Sequence, residues 1–213
     1  MKVVLLGPPG VGKGTQAHRL SEILRVPRII TGDMLRGHVV ADTPLGRKAK
    51  GYMERGDLVP DDLITEMIRE RLHEEDAREG FIIDGFPRTL AQAEAFEALV
   101  TPDVVIALEA SEERLIERLS GRRVCRECKS IYHVVHDPPK REGVCDRCGG
   151  ELYHREDDTE EVIRARLRAY RRETEPLIAR YEARSSLVRV RSVGGIEEVT
   201  RTLQAVLNGR GLT

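Results

Sequence analysis

Apolar residues fall along this chain in two textures. Val3–Leu6, Ile29-Ile30, Phe81-Ile82-Ile83 and Val104–Leu108 are short unbroken runs, and Leu187–Val190 is a fifth, interrupted once by Arg189. Runs of that length without polar alternation are the pattern of strands buried on both faces, and so of parallel sheet. Between them, apolar positions recur at helical spacing. Leu20, Ile23 and Leu24 mark Thr15–Arg25, and shorter helices are expected at Met34–Val40 and Leu45–Arg55. Leu63, Ile64, Met67, Ile68 and Leu72 follow Asp61-Asp62, which are expected to cap that helix. Further helices are predicted at Thr89–Leu99, at Ser111–Leu119 and at Ile196–Leu207. A long one starts at Thr159 with Val162, Ile163, Leu167 and Tyr170 on one face. Strands alternating with helices predict an α/β domain: a parallel five-stranded sheet flanked by helices.

At Gly121 the texture changes. From there to Asp158 the chain is rich in Arg, Cys, Gly and Pro and poor in Leu and Ile, which reads as an inserted subdomain. With 213 residues, 40% apolar and 33% charged, the rest of the chain has material for one packed domain. No stretch approaches the ~18 consecutive apolar residues of a membrane helix. The apolar run at the N-terminus is shorter than the about 7–15 residues of a signal-peptide core. Neither export nor membrane insertion is expected. A net charge of −1 excludes a protein held on nucleic acid by bulk positive field, and 4% aromatics with no Trp offer no stacking platform. Among the cations 29 are Arg and 6 Lys, with a single Asn. Thermal adaptation and a GC-rich genome explain that skew equally well.

Two motifs carry chemistry. Gly7-Pro8-Pro9-Gly10-Val11-Gly12-Lys13-Gly14-Thr15 stands between a predicted strand and a predicted helix. Glycines there let successive backbone N–H groups converge on phosphate oxygens, the following helix aims its positive end at them, and Lys13 adds a point charge. The loop predicts a nucleoside triphosphate, although Gly14 stands where the strict pattern has Ser or Thr. The second motif is Cys125-x-x-Cys128, sixteen residues, then Cys145-x-x-Cys148. Four thiolates in paired knuckles complete a tetrahedral zinc site with no open position, so the metal would be structural. Two disulfides are the other use of four cysteines, disfavoured in a chain that is not exported. His133, His136 and His154 are not needed as ligands.

Further short motifs occur in order: Thr31-Gly32-Asp33-Met34-Leu35-Arg36, Asp84-Gly85-Phe86-Pro87-Arg88 with Gln92, Gly121-Arg122-Arg123, and Asp157-Asp158 with Arg164-Ala165-Arg166. Together with the phosphate loop, from Lys2 to about Leu207, the chain resembles the adenylate kinases of the long-lid, zinc-containing bacterial type, in which Gly14 is the ordinary residue. The resemblance implies a core of 1–29, 60–120 and 159–213, an AMP-binding insert at 30–59, and a lid at 121–158. It implies the reaction ATP + AMP = 2 ADP with Mg2+, in a cytoplasmic monomer. Gly10, Val11, Gly12, Lys13, Gly14 and Thr15 would cradle ATP. Arg118 would stack on its adenine, Arg122, Ile131 and Tyr132 would close over it, and a carbonyl near Glu197 would take its amino group. Thr31, Arg36, Asp57, Leu58, Val59, Gly85, Phe86, Pro87, Arg88 and Gln92 would form the AMP site, with Gln92 reading the base and Arg155 and Arg166 bridging the phosphates.

Elementary charge counting agrees. ATP and AMP bring about six negative charges into one cleft, of which magnesium offsets two. Lys13, Arg88, Arg122, Arg155 and Arg166 are five cations for the rest, and Arg forks onto phosphate bidentately. An attacking phosphate is already ionised, so no general base is required. Asp84, closing an apolar strand beside the loop, is the expected magnesium carboxylate. Two other readings compete: a kinase for another nucleoside monophosphate such as UMP or CMP, and a zinc-ribbon binding module with a vestigial loop. A GTPase is weaker, since no Asn-Lys-x-Asp run is present.

Overall fold

The computed structural model describes residues 1–184 and 186–211. Its main sheet has the order β2-β3-β1-β4-β8, all parallel, from β1 (Lys2–Leu6), β2 (Arg28–Ile30), β3 (Phe81–Asp84), β4 (Val104–Glu109) and β8 (Leu187–Arg191). Val4 lies opposite Ile83 on one side and Val105 on the other, so the centre of the sheet is apolar in every direction. Period-two alternation splits β1 between two cores. Val4 and Leu6 pack with Ile29, Ile83, Val105, Phe86 and Phe96, while Val3 and Leu5 pack with Leu20, Ile82, Ile106, Leu119 and Leu203.

Helices cover both faces: α1 (Lys13–Leu24), α4 (Asp61–Leu72), α5 (Leu90–Leu99), α6 (Glu112–Ser120), α7 (Glu160–Ala169), α8 (Pro176–Ala183) and α9 (Ile196–Gly209). A pair, α2 (Thr31–Val40) and α3 (Pro44–Arg55), follows β2. The pair has sequence-coded ends: Pro44 opens α3 while the Thr43 hydroxyl accepts from the Gly46 N–H at 3.0 Å, and Gly56 closes it in the left-handed region.

Two expectations change. The helix from Thr159 is not continuous: after α7 the chain takes one π-helical turn, Tyr170–Thr174, before α8. The stripe formed by Ile163 and Leu167 ends there, and Tyr170, at the junction, lines the cleft. Asp61 does not cap α4, whose N-cap is Pro60 with no side-chain bond; its carboxylate bonds across to α5 instead.

Residues 121–158 depart from the main sheet. They build a small antiparallel sheet, β5 (Arg122–Cys125) between β6 (Ile131–His133) and β7 (Leu152–Tyr153). Its apolar centre is Cys125, Cys145 and Leu152, with Cys128 and Tyr132 against it, and Val124 of β5 is buried beside them in the chain. No helix among the described residues is long and apolar enough to cross a membrane.

Candidate active site

The carboxyl ends of the parallel strands open onto one cleft of about 650 Å³. In an open parallel sheet this is the end where ligands bind. On one side stands the loop after β1. Gly10 has φ 83°, and a Cβ there would lie 2.8 Å from the Leu119 side chain and 2.9 Å from the Leu115 carbonyl, so only glycine fits. Helix α1 starts with no side-chain cap and no acid in its first turn, which leaves its N–H groups and dipole available to an anion. The Lys13 ammonium donates to the carbonyls of Gly7 and Pro8 at 2.7 and 3.0 Å and lies 4.0 Å from Asp84. Burial pushes it down to about 8. Asp84 resists that shift, and Arg88, Arg166 and Arg122 reinforce it.

The same cleft is lined by the start of α2 and the turn after β3. Thr31 donates to the carbonyls of Asp84 and Gly85 at 3.2 and 2.9 Å, fastening the two segments together. Gly85, at φ 85°, is the second enforced glycine: a Cβ would sit 2.5 Å from the Thr31 hydroxyl. Arg88 Nε donates to the Gly85 carbonyl at 2.7 Å, and the Arg88 backbone N–H donates to Gln92 Oε1 at 2.8 Å. Asp57, Leu58, Val59, Gly85, Pro87 and Gln92 complete that wall.

The cations crowd along the same cleft. Arg122 makes a two-pronged pair with Asp158 at 2.8 and 2.6 Å, and Arg166 donates to Asp158 Oδ1 at 3.1 Å and to the Asp157 carbonyl at 2.8 Å. Arg36 pairs with Asp33 at 2.5 Å, and Arg155 reaches the same carboxylate at 3.4 Å. Lys13, Arg36, Arg88, Arg122, Arg155 and Arg166 thus face Asp33, Asp84, Asp157 and Asp158, an excess of two positive charges. Burial holds the Arg88 and Arg166 guanidiniums below their ordinary range, with like charges adding to the effect. It takes Arg155 down to about 10, and Arg122 and Arg36 add to the shift. The buried Arg155 Nε has no hydrogen-bond partner. A crowded cation set with an orphan donor at its centre is built for an oxyanion that brings more than one charge.

Several expected residues sit elsewhere. Phe86 is fully buried and packs edge-on against Phe96 at 5.7 Å: it supports the wall from behind and does not line it. The Val11 side chain also points into the core while its backbone stays in the loop, its carbonyl accepting from Arg118 and Ser192. Glu197 is exposed on the first turn of α9 and pairs with Arg19 at 2.6 Å; the same stretch meets the cleft earlier, through Ser192, Gly194, Gly195 and Ile196. Arg118 and Ile131 do line the cleft, Arg118 with its fork fixed on the Ser192 hydroxyl and carbonyl at 3.0 and 3.1 Å. Tyr132 lines it too, but its hydroxyl is taken by the Asp146 N–H at 2.9 Å and Cys145 Sγ at 3.5 Å. Residues with no motif signal also line it. Glu117, for example, accepts from His136 at 2.8 Å, and His136 stacks on His133. His154 is exposed, as are Arg164, Arg168, Arg171 and Arg172.

The four cysteines converge, with all Sγ atoms within 4.8 Å of one another. The two shortest Sγ–Sγ separations, 3.4 and 3.6 Å, exceed the ~2.05 Å of a disulfide and lie near the roughly 3.8 Å expected for sulfurs on a tetrahedral zinc. All four thiols are free. Burial opposes ionisation of Cys145, but the Tyr132 hydroxyl and the N–H groups of Cys148 and Arg147 prevail and bring it to about 6. At Cys148 the Gly150 N–H favours the thiolate, yet the sulfurs of Cys125 and Cys128 push it up to about 12. Four thiolates in so small a volume require a cation, and the donor set fits a tetrahedral metal.

The comparisons with known proteins agree with this geometry. Residues 5–186 match the family model described as adenylate kinase. The chain is 48% identical to an adenylate kinase of Caldicellulosiruptor bescii over 100% of both chains. It is 50% identical to one of Acidothermus cellulolyticus over 97% of this chain and 98% of the relative, and 48% identical to one of Archaeoglobus fulgidus over the same shares. This chain belongs to the adenylate kinase family. Within that family the parallel sheet, the phosphate loop and the four-cysteine group all have their place, and a nucleic-acid-binding ribbon with a vestigial loop does not describe it.

Proposed function

We propose that this adenylate kinase family member transfers the terminal phosphoryl group of Mg-ATP to AMP, reversibly, giving two ADP. The observation that carries the reading is that the phosphate loop, the Thr31–Gln92 wall and the cation cluster all line one cleft. Gly10 to Thr15, Arg118 and Ile131 hold the triphosphate. Thr31, Arg36, Asp57, Leu58, Val59, Gly85, Pro87, Arg88 and Gln92 hold the monophosphate.

An oxygen of the AMP phosphate, already ionised, attacks the γ-phosphorus in line. The new O–P bond forms as the bond to the β-phosphate oxygen breaks, and one ADP leaves while the other is made. No proton has to move. The work is positioning and charge stabilisation, for which Lys13, Arg88, Arg122, Arg155 and Arg166 are placed. Magnesium, when bound with ATP, would neutralise phosphate charge; the Asp84 carboxylate beside Gly14 is the group that would hold it, through water. Arg122 and Arg166 trade their Asp158 and Asp157 partners for phosphate as the nucleotides enter. Residues 121–158 act as a lid, stapled by zinc on Cys125, Cys128, Cys145 and Cys148, that excludes water as a competing acceptor. The protein is read as a cytoplasmic monomer.

Phosphoryl transfer from Mg-ATP to AMP, GMP, CMP and UMP tests this. Strong preference for AMP is the expected result. Preference for UMP or CMP would reassign the acceptor, and no transfer to any of them would overturn the reading.

A further inference from the structure

Gln92 is buried in the first turn of α5, where Thr89 is the N-cap and accepts from the Gln92 N–H at 3.1 Å. In an ordinary capping box the side chain at this position returns to the cap residue's own N–H. Here Gln92 Oε1 accepts from the preceding residue, Arg88, at 2.8 Å, and Gln92 Nε2 donates to Asp61 Oδ1 at 2.7 Å. The other oxygen of Asp61 accepts from the Thr89 hydroxyl at 2.7 Å. A carboxylate at the start of α4 is thus spent on α5 partners 28 and 31 residues further along the chain.

The chemistry of this ring of bonds is directional. An ionised carboxylate only accepts and a backbone N–H only donates. Asp61 and the Arg88 N–H therefore admit a single orientation of the Gln92 amide; the flipped one would set two acceptors against each other at one end and two donors at the other. After these bonds Gln92 keeps one N–H and one oxygen lone pair, and it lines the cleft. A 6-aminopurine offers a donor beside a ring-nitrogen acceptor and matches that pair. A 6-oxopurine presents acceptor and N–H donor in the reverse order and does not. We infer that Asp61 is a specificity-determining positioning residue: by fixing the Gln92 amide it makes the acceptor site select adenine over hypoxanthine or guanine. The inference rests on the reading that Gln92 faces the acceptor base.

The test is a paired acceptor assay on the full chain, Mg-ATP with AMP or with IMP, for the wild type and for Asp61→Asn. The amide is nearly isosteric but both donates and accepts, so it frees the flip. The ratio of kcat/KM for AMP to that for IMP should fall about tenfold to a hundredfold, the range for losing a hydrogen bond to a charged group. KM for AMP should rise while KM for ATP stays in place. A purely structural Asp61 would lower turnover of AMP and IMP together, and an unchanged ratio overturns the inference. A wild type that does not prefer AMP overturns the underlying reading of Gln92 as well. Should Asp61→Asn not fold, Thr89→Val and Thr89→Ser replace it. The first removes the hydroxyl that Asp61 accepts from and should lower the ratio severalfold, and the second keeps it and should preserve the ratio. Equal ratios in wild type and both variants overturn the inference.

Discussion

The main sheet and the small sheet of residues 122–153 are held by different physics. β1, β3 and β4 bury Val3, Val4, Ile82, Ile83, Val104, Val105 and Ile106 completely, between helices on both faces. The small sheet and its loops bury Val124, Cys125, Cys145 and Leu152 and no larger apolar group among the described residues. A segment with so few apolar groups does not offset its own conformational entropy. The first region is ordered by area removed from water, the second, as proposed, by a metal on its four cysteines. The proposed lid would gain from this division, because a metal staple would give internal stiffness without an apolar face that would stick to the core.

The widest separation between the two regions should come from stripping the metal under reducing conditions. Structural zinc contributes on the order of 10 kcal/mol to small domains folded around it, so amide protection across 122–153 should collapse. The main sheet should keep its protection, and the protein should melt earlier but remain active at low temperature. Ile106→Ala is the converse: a cavity in the sheet costing about 2–5 kcal/mol, lowering the Tm of the whole chain with the metal still bound. Hydrogen exchange and metal content distinguish the two. Equal loss of protection in both regions after chelation would mean that the metal supports the entire fold.

Lys13→Met separates function from stability on the sheet side. The ammonium is largely withdrawn from solvent, and burial pushes its pKa down, so holding the charge there costs the fold some stability. Removing it should lower kcat by about 10²–10³-fold, the scale for one preorganised charge at a reacting centre, while Tm stays level or rises. A fall in Tm with kcat preserved would reverse its assignment.

The phosphate loop was legible in the sequence because its backbone geometry is local: Gly7, Gly10 and Gly12 each hold a positive φ, and Lys13 follows at fixed spacing. The cysteine cluster was legible for a similar reason, since two knuckles at fixed spacing leave few other uses for four thiols. Phe86 was misplaced because a motif names a stretch of chain and not which way each side chain points; Gly85 and Pro87 meet the cleft and Phe86 meets Phe96. The stretch around Glu197 has no motif to anchor its register, and it meets the cleft through Gly194, Gly195 and Ile196 while the Glu197 side chain pairs with Arg19. Asp61 was hidden by an adequate local explanation. An acid at a helix start satisfies the dipole, and nothing nearby in sequence reveals that its partners are on α5.

The smallest effect belongs to the junction between the two regions. Asp157 follows the small sheet and faces Arg166 of α7 at 3.2 Å and Arg36 of α2 at 3.9 Å. Burial alone would raise its carboxyl, but the guanidiniums of Arg166 and Arg36 outweigh that and hold it below the 3.8 of a free aspartate. A carboxyl lowered in the folded state contributes stability that is fully present above about pH 3.8 and is lost as pH falls through the folded value. Asp157→Asn should therefore cost at most about 1 kcal/mol near neutral pH, as befits a partly exposed ion pair, and nothing at the acid end. Tm measured from pH 7 down to 3 should show wild type and variant converging as the pH falls. Curves that stay parallel would mean that Asp157 acts by packing and not by charge, and the junction would then be an extension of the buried core instead of an electrostatic hinge between two separately stabilised parts.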